Sequence, residues 1–342
     1  MPRIVAPPRG LMRMRMILSS IFAVRTMVFV IGAVTGVLAL LVAAVLVSGA
    51  GDQAAARPGR LDVVATTTQA ADLVRNVAGG RADVVQLLAP NADPHDYEVR
   101  PRDMKALSRA GLVVRSGGDV DDWLTGALDG VGQGAPVVTL IDQVPTLRGP
   151  DGVDPHWWQD PRNAERAVAA IRDALVSADP AHAATYRAAA SRYESRLQAL
   201  DSAVARCLAA VPAAERRLVT THDALGYYAH RYGIRIVGAV IPSLSTAGQP
   251  SSGELSALVR TIRAQGVHAV FAEQSVNPKV EAAIAAESGA TVGRPLWADA
   301  LGPPGSDGAT YIDSIEANSR ALVQGFTAGR ESCALPATNA TK

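Results

Sequence analysis

The sequence predicts an α/β protein of two lobes, each built on a parallel sheet, joined by one long helix. Three observations carry that prediction. From residue 61 short β-rich runs alternate with amphipathic helical stretches, the same alternation restarts near residue 218, and an unusually long helical stretch separates the two sets. The chain has 342 residues, enough for about two domains, each burying a sizeable core.

The first element stands apart from the rest. Arg3, Arg9, Arg13, Arg15 and Arg25 precede an uncharged apolar run from Thr26 to Val47, followed by small residues from Ser48 to Ala56. This pattern marks residues 1–56 as an export signal. The run is also long enough, at ~1.5 Å per residue, to stay as a membrane anchor if it is not cleaved. Either outcome places the remainder outside the cytoplasm, in a periplasm or on the outer face of the cell membrane. No cysteine follows the run, so lipid attachment there is not expected.

The first lobe is expected over residues 57–178. Strands are predicted at 61–66, 83–88, 112–115 and 136–140, with helices near 70–78 and 102–110 between them. Asp119, Asp121 and Asp122 read as a solvated helix start. A helix over 163–177 is interrupted at Asp179-Pro180, and a second stretch, 181–210, carries Tyr193, Leu197, Leu200, Val204 and Leu208 on one face. Residues 179–212 are therefore expected to form a stiff spine. The second lobe, 213–342, repeats the alternation, with strands near 218–220, 235–240, 269–272 and 291–296. Its helices are expected near 224–232, 253–265, 278–288 and 309–326. The segment 241–253 reads as a surface loop that enters its helix at Ser251 or Ser252.

Function is read from a pair of Asp-Pro-His motifs, Asp93-Pro94-His95 and Asp154-Pro155-His156, followed by Thr221-His222-Asp223 and Trp297-Ala298-Asp299. Three imidazoles and a carboxylate make a donor set suited to a borderline-soft divalent cation. Each lies beyond the carboxyl end of a predicted strand or in the loop that follows it, where α/β sheets collect ligands. His95, His156, His222 and Asp299 are thus the candidate metal ligands. Intervals of 61, 66 and 77 residues between them exclude a local zinc finger and require the whole fold. Glu98, Asp223 and Glu273 are the candidates for orienting the imidazoles through their second nitrogen. His182, His230 and His268 read as structural, and Trp123, Trp157, Trp158 and Trp297 as packing residues.

Other chemistries find little support. With 33 basic and 32 acidic residues interspersed, net charge +1, no basic stripe exists to follow nucleic acid. Neither His-Glu-x-x-His nor Gly-x-Ser-x-Gly occurs, and four protein ligands leave a metal no position for water, so no catalytic residue and no enzyme activity is expected. A metal-dependent hydrolase stays as the alternative from another class, and a surface adhesin on the same scaffold as a third. Cys207 and Cys333 form a disulfide in an oxidising compartment, or remain two buried thiols.

The motifs, taken in order with Pro250-Ser251-Ser252-Gly253-Glu254-Leu255, Phe271-Ala272-Glu273 and Leu301-Gly302-Pro303-Pro304-Gly305-Ser306, carry a resemblance. The chain resembles the metal-binding solute receptors of bacterial zinc and manganese ABC importers, the group of ZnuA-like, TroA-like and AztC-like proteins. The resemblance covers nearly all of residues 60–330. It implies two Rossmann-like α/β lobes with parallel sheets joined by one rigid helix, a metal ion between them, and an ABC transporter permease with its ATPase as partners. Family members selecting manganese often carry Glu where His222 stands, so zinc is the implied cargo and manganese the alternative. The histidine-rich loop of ZnuA-like members is missing, since residues 142–153 hold no histidine. A monomer is expected, with release of the ion by local loop motion rather than lobe rotation.

Overall fold

The computed structural model describes residues 59–132, 134–149 and 151–335. The apolar run and the export or anchor reading attached to it lie outside the described residues. Among the described residues no helix is long and apolar enough to cross a membrane.

In the first lobe β1 (Leu61–Ala65), β2 (Ala82–Gln86), β3 (Leu112–Arg115) and β4 (Val137–Thr139) form one parallel sheet in the order β2-β1-β3-β4. Val63, Val64, Val113 and Val114 are all buried, so both sheet faces are covered, as parallel sheets require. Helix α1 (Thr68–Ala78) starts where the Thr67 side chain accepts from Ala70 N–H and stops at Gly79, whose φ of 55° suits a residue without Cβ. Helix α2 (Pro101–Leu107) opens on a proline, and α3 (Trp123–Val131) follows a short 3-10 turn at Asp119–Asp121.

That turn corrects the reading of the aspartates. Asp121 is wholly buried rather than solvated, because its carboxylate collects donors at the end of β3: Thr66 Oγ1 at 2.7 Å, Ser116 N–H at 2.7 Å and Gly117 N–H at 3.1 Å. Arg115 neutralises it at 2.9 Å.

Helices α4 (Pro161–Ala178) and α5 (Ala183–Ala209) lie against each other, separated by one 3-10 turn at Pro180–His182. The 27 residues of α5 span about 40 Å. A short antiparallel hairpin, β5 (Arg148–Gly149) and β6 (Gly152–Val153), leads into the second Asp-Pro-His motif.

In the second lobe β7 (Arg217–Thr220) pairs with β8 (Arg235–Ala239), and β9 (Ala269–Val270) with β10 (Thr291–Val292), all in parallel. A bridge between Thr220 and Phe271 joins the pairs, giving the order β8-β7-β9-β10. This repeats the first lobe's arrangement of second, first, third and fourth strand. The last two strands are shorter than their apolar runs predict. Beyond Val270 and Val292 the pairing continues only as a bridge between Glu273 and Leu296, where the chains diverge toward the cleft. Helices α6 (Gly226–Tyr232), α7 (Ser252–Gln265), α8 (Lys279–Ser288) and α9 (Tyr311–Phe326) complete the lobe. Ser251 caps α7 in a reciprocal box with Glu254.

One apolar cluster runs from Val63 and Leu73 through Leu197 and Val204 of α5 to Tyr228, Phe271 and Phe326, so the two sheets share a core. Cys207, near the end of α5, is disulfide-bonded to Cys333 across 126 residues, tying the tail to the spine. A loop that long is worth about 4–5 kcal/mol in the chain-entropy model.

Candidate metal centre

Both Asp-Pro-His motifs use the same local device. In each, the aspartate side chain accepts the backbone N–H of the histidine two residues on, at 2.9 Å, closing a turn that the intervening proline favours. The first turn follows β2 and presents His95. The second follows the β5–β6 hairpin and presents His156. His222 emerges just past β7, its carbonyl held by Thr220 Oγ1 at 2.7 Å. Asp299 lies in the 298–301 segment, which is tied to the first lobe. Ala298 O accepts from Trp158 Nε1 at 2.9 Å and Gln159 Nε2 at 2.8 Å, Leu301 N–H donates to Thr68 Oγ1 at 2.8 Å, and Leu301 O accepts Asn91 N–H at 2.8 Å.

These four side chains converge. His156 Nε2 lies 3.3 Å from Asp299 Oδ1, His222 Nε2 3.3 Å from Asp299 Oδ2, and the two Nε2 atoms are 3.3 Å apart. His95 Nε2 stands slightly farther off, 3.7 Å from Asp299 Oδ2. All four side chains offer a donor atom within 4.8 Å of the others, with the two Asp299 oxygens shared out between His156 and His222. His156, His222 and Asp299 are fully buried, and the His95 side chain is 3% exposed. His95 Nε2 and both Asp299 oxygens are enclosed without a hydrogen-bond partner, a costly arrangement that a cation at the centre relieves. The donor set therefore fits a divalent ion.

Carboxylates behind the rings fix their tautomers. Asp154 Oδ1 accepts from His156 Nδ1 at 2.8 Å, and Glu273 Oε1 from His222 Nδ1 at 2.7 Å, leaving both Nε2 atoms facing the centre. Of the three expected orienting groups, Glu273 hydrogen-bonds an imidazole. Asp223 does not reach an imidazole: it is half-buried, and among the described residues its carboxylate makes no hydrogen bond to one. Glu98 is exposed, and the turn around His95 is closed by Asp93. Asp154 was missed as an orienting group, although its place at the head of the motif was signal enough.

The electrostatics follow from this arrangement. Burial opposes charge on His156, but the Asp154 and Asp299 carboxylates outweigh it and push its pKa up to about 10. Burial likewise opposes charge on His222, and Asp299 and Glu273 raise it to about 9. Burial would raise Asp299, yet the imidazoles hold it well below the usual carboxylate range. His95 goes the other way: burial lowers it, only partly offset by Asp299. An incoming cation must displace protons from two of the three rings.

The remaining histidines lie elsewhere. His182 bonds Asp179 at 2.7 Å, and His230 and His268 are exposed. Trp157 and Trp158 are buried and donate to Ser116 and Ala298, Trp297 donates to Asp307, and Trp123 stacks on Tyr97 at 4.8 Å.

Two parallel-sheet lobes, a spine helix and a metal-type donor set at their junction define a solute receptor of the kind that serves metal importers. The family model described as zinc-uptake complex component A, periplasmic, matches residues 63–325, and the chain belongs to that family, whose members work outside the cytoplasm. It is 30% identical over 293 residues to the manganese-binding lipoprotein MntA of Halalkalibacterium halodurans, covering 84% of this chain and 97% of the relative. It is 32% identical over 271 residues to the iron-binding protein YfeA of Yersinia pestis, covering 78% and 86%. With the zinc-binding protein TroA of Treponema pallidum it shares 29% over 282 residues, covering 80% and 91%. The solved structure of the TroA protein superposes with a TM-score of 0.73 at 27% identity, covering 78% of this chain and 99% of that one. Three relatives thus carry the names of three different metals.

Proposed function

We propose that the protein captures zinc outside the cytoplasm through His95, His156, His222 and Asp299 and hands it to an ABC permease driven by its ATPase. One observation carries the choice of metal: three imidazole nitrogens and one carboxylate, all with little exposure, come within 4.8 Å of one another, a nitrogen-rich donor set of the kind zinc prefers. Such a donor set binds zinc more tightly than manganese by its place in the divalent series. Manganese is the second reading, favoured by the name of the MntA relative. In this reading 57–178 and 213–342 are the two jaws, 179–212 is the spine, and residues 1–56 serve for export or anchoring of a monomer. Four protein donors leave no coordination position for a hydrolytic water.

Calorimetric titration of the chelator-treated protein with zinc and with manganese, paired with a fluorescence-edge scan on crystals, tests the proposal. Zinc is expected to bind one to one and far more tightly. Tighter binding of manganese would overturn the choice of metal.

A further inference from the structure

The turn that carries His95 belongs to the first lobe by sequence, yet it is fastened to the second. Asp93 accepts the His95 N–H with Oδ1 at 2.9 Å and the hydroxyl of Thr246, 153 residues away, with Oδ2 at 2.6 Å. Thr246 lies in the segment between β8 and α7, and that segment sets out from the turn of His222. Ile241 N–H donates to Thr221 O at 2.8 Å and Asp223 N–H to Ser243 O at 3.0 Å. Two hydroxyl contacts shape its bend: Ser245 N–H to Ser243 Oγ and Ala247 N–H to Ser245 Oγ, each at 3.2 Å. The segment is therefore a strap from one histidine turn to another. Among the described residues, the Asp93–Thr246 pair is the only side-chain hydrogen bond that joins residues 91–98 to the second lobe, and Thr246 bonds none of the four converging side chains.

We infer that the Asp93–Thr246 hydrogen bond is a latch that holds the His95 turn closed over the captured cation and sets how long the cation stays. Thr246 is a positioning residue here, acting through Asp93 on His95. The inference rests on the reading of His95 as a ligand. A neutral hydroxyl on a carboxylate is a charge-assisted bond, strong enough to matter and formed or broken by a small rotation. Its loss leaves the four donors and the Asn91–Leu301 backbone bond in place and removes the side-chain tie nearest the His95 turn. Dissociation should therefore change while coordination does not.

The test is stopped-flow transfer of zinc from the full protein to a chromogenic chelator. Thr246→Val is expected to release zinc roughly 10- to 100-fold faster, the range for losing a hydrogen bond to a charged group. Thr246→Ser should restore slow release, while the association rate, one-to-one stoichiometry and zinc X-ray absorption spectrum stay as in the wild type. In an Asp93→Asn background the Thr246→Val effect should shrink, since the two share one bond. Release from Thr246→Val at the wild-type rate, or full additivity with Asp93→Asn, would overturn the latch. Zinc binding that ignores His156→Ala would instead overturn the site beneath it, and the two failures are told apart by which variant stays silent.

Discussion

The two Asp-Pro-His turns begin alike and end differently. In both, the aspartate closes the turn onto the histidine N–H at the same distance. At the second turn Asp154 also grips the ring, through His156 Nδ1, inside a fully buried setting. At the first, Asp93 accepts with its other oxygen from Thr246 in the second lobe, and among the described residues no carboxylate hydrogen-bonds His95 Nδ1. One sequence motif thus builds both a histidine held at its ring and a histidine whose turn is tied across to the second lobe. The choice lies in what the second carboxylate interaction touches.

The strongest way to break this comparison is to remove each ring. His156→Ala should weaken zinc binding by more than the roughly 100-fold seen for losing an outer partner, with the fold retained, whereas His95→Ala should cost less. Competition with a fluorescent chelator measures both, and equal losses would erase the distinction between the turns. Next in size, Asp154→Asn should lower affinity about 10- to 100-fold by releasing the His156 tautomer, and Glu273→Gln should do the same to His222. Unchanged affinity in both would mean that the carboxylates only pack.

Acidity sharpens the contrast. His156 and His222 have pKa values raised to about 10 and 9 in the ion-free protein, above the ~6.5 of an unfolded histidine. Their protonation therefore stabilises the ion-free fold fully below about pH 6.5, and that contribution is lost as pH rises through 9 to 10. Thermal melts of chelator-treated protein should show Tm falling over this window, with zinc-loaded protein flat by comparison. At neutral pH zinc should expel about two protons, read by calorimetry in buffers of different ionisation enthalpy. The His95 ring, whose pKa is lowered, should titrate below the other two by NMR.

The smallest effect concerns one close approach. A Cβ on Gly226 would stand 2.6 Å from Asp154 Oδ2, so Gly226→Ala should nudge the Asp154–His156 pair and weaken zinc binding by less than Asp154→Asn does. Binding by Gly226→Ala that is weaker than that of Asp154→Asn would show that the glycine matters for more than this contact.

Much of this was legible in the chain. The alternation of apolar runs and caps gave the sheets, the spine and the break at Asp179-Pro180, because those signals are local. The turns of His95 and His156 were legible because Asp-Pro-His writes its own turn, a local device that His222 and Asp299 lack. What stayed hidden depends on contacts far apart in sequence. Asp121 reads as a solvated charge until Thr66 and the end of β3 surround it. Glu98 looks as eligible as Asp154 until the turn shows which carboxylate faces inward. Helix α3 offered only its acidic opening, since Gly126 and Gly130 dilute its pattern. Thr246 carries no motif at all.

The unbroken apolar cluster through α5 has a mechanical consequence. Prising the lobes apart would bare side chains such as Leu197, Val204 and Phe271 to water, at about 1.5–3 kcal/mol for each one fully exposed. Both lobes are thus anchored in shared packing, and a partner that docked here would have to work against that cost to part them.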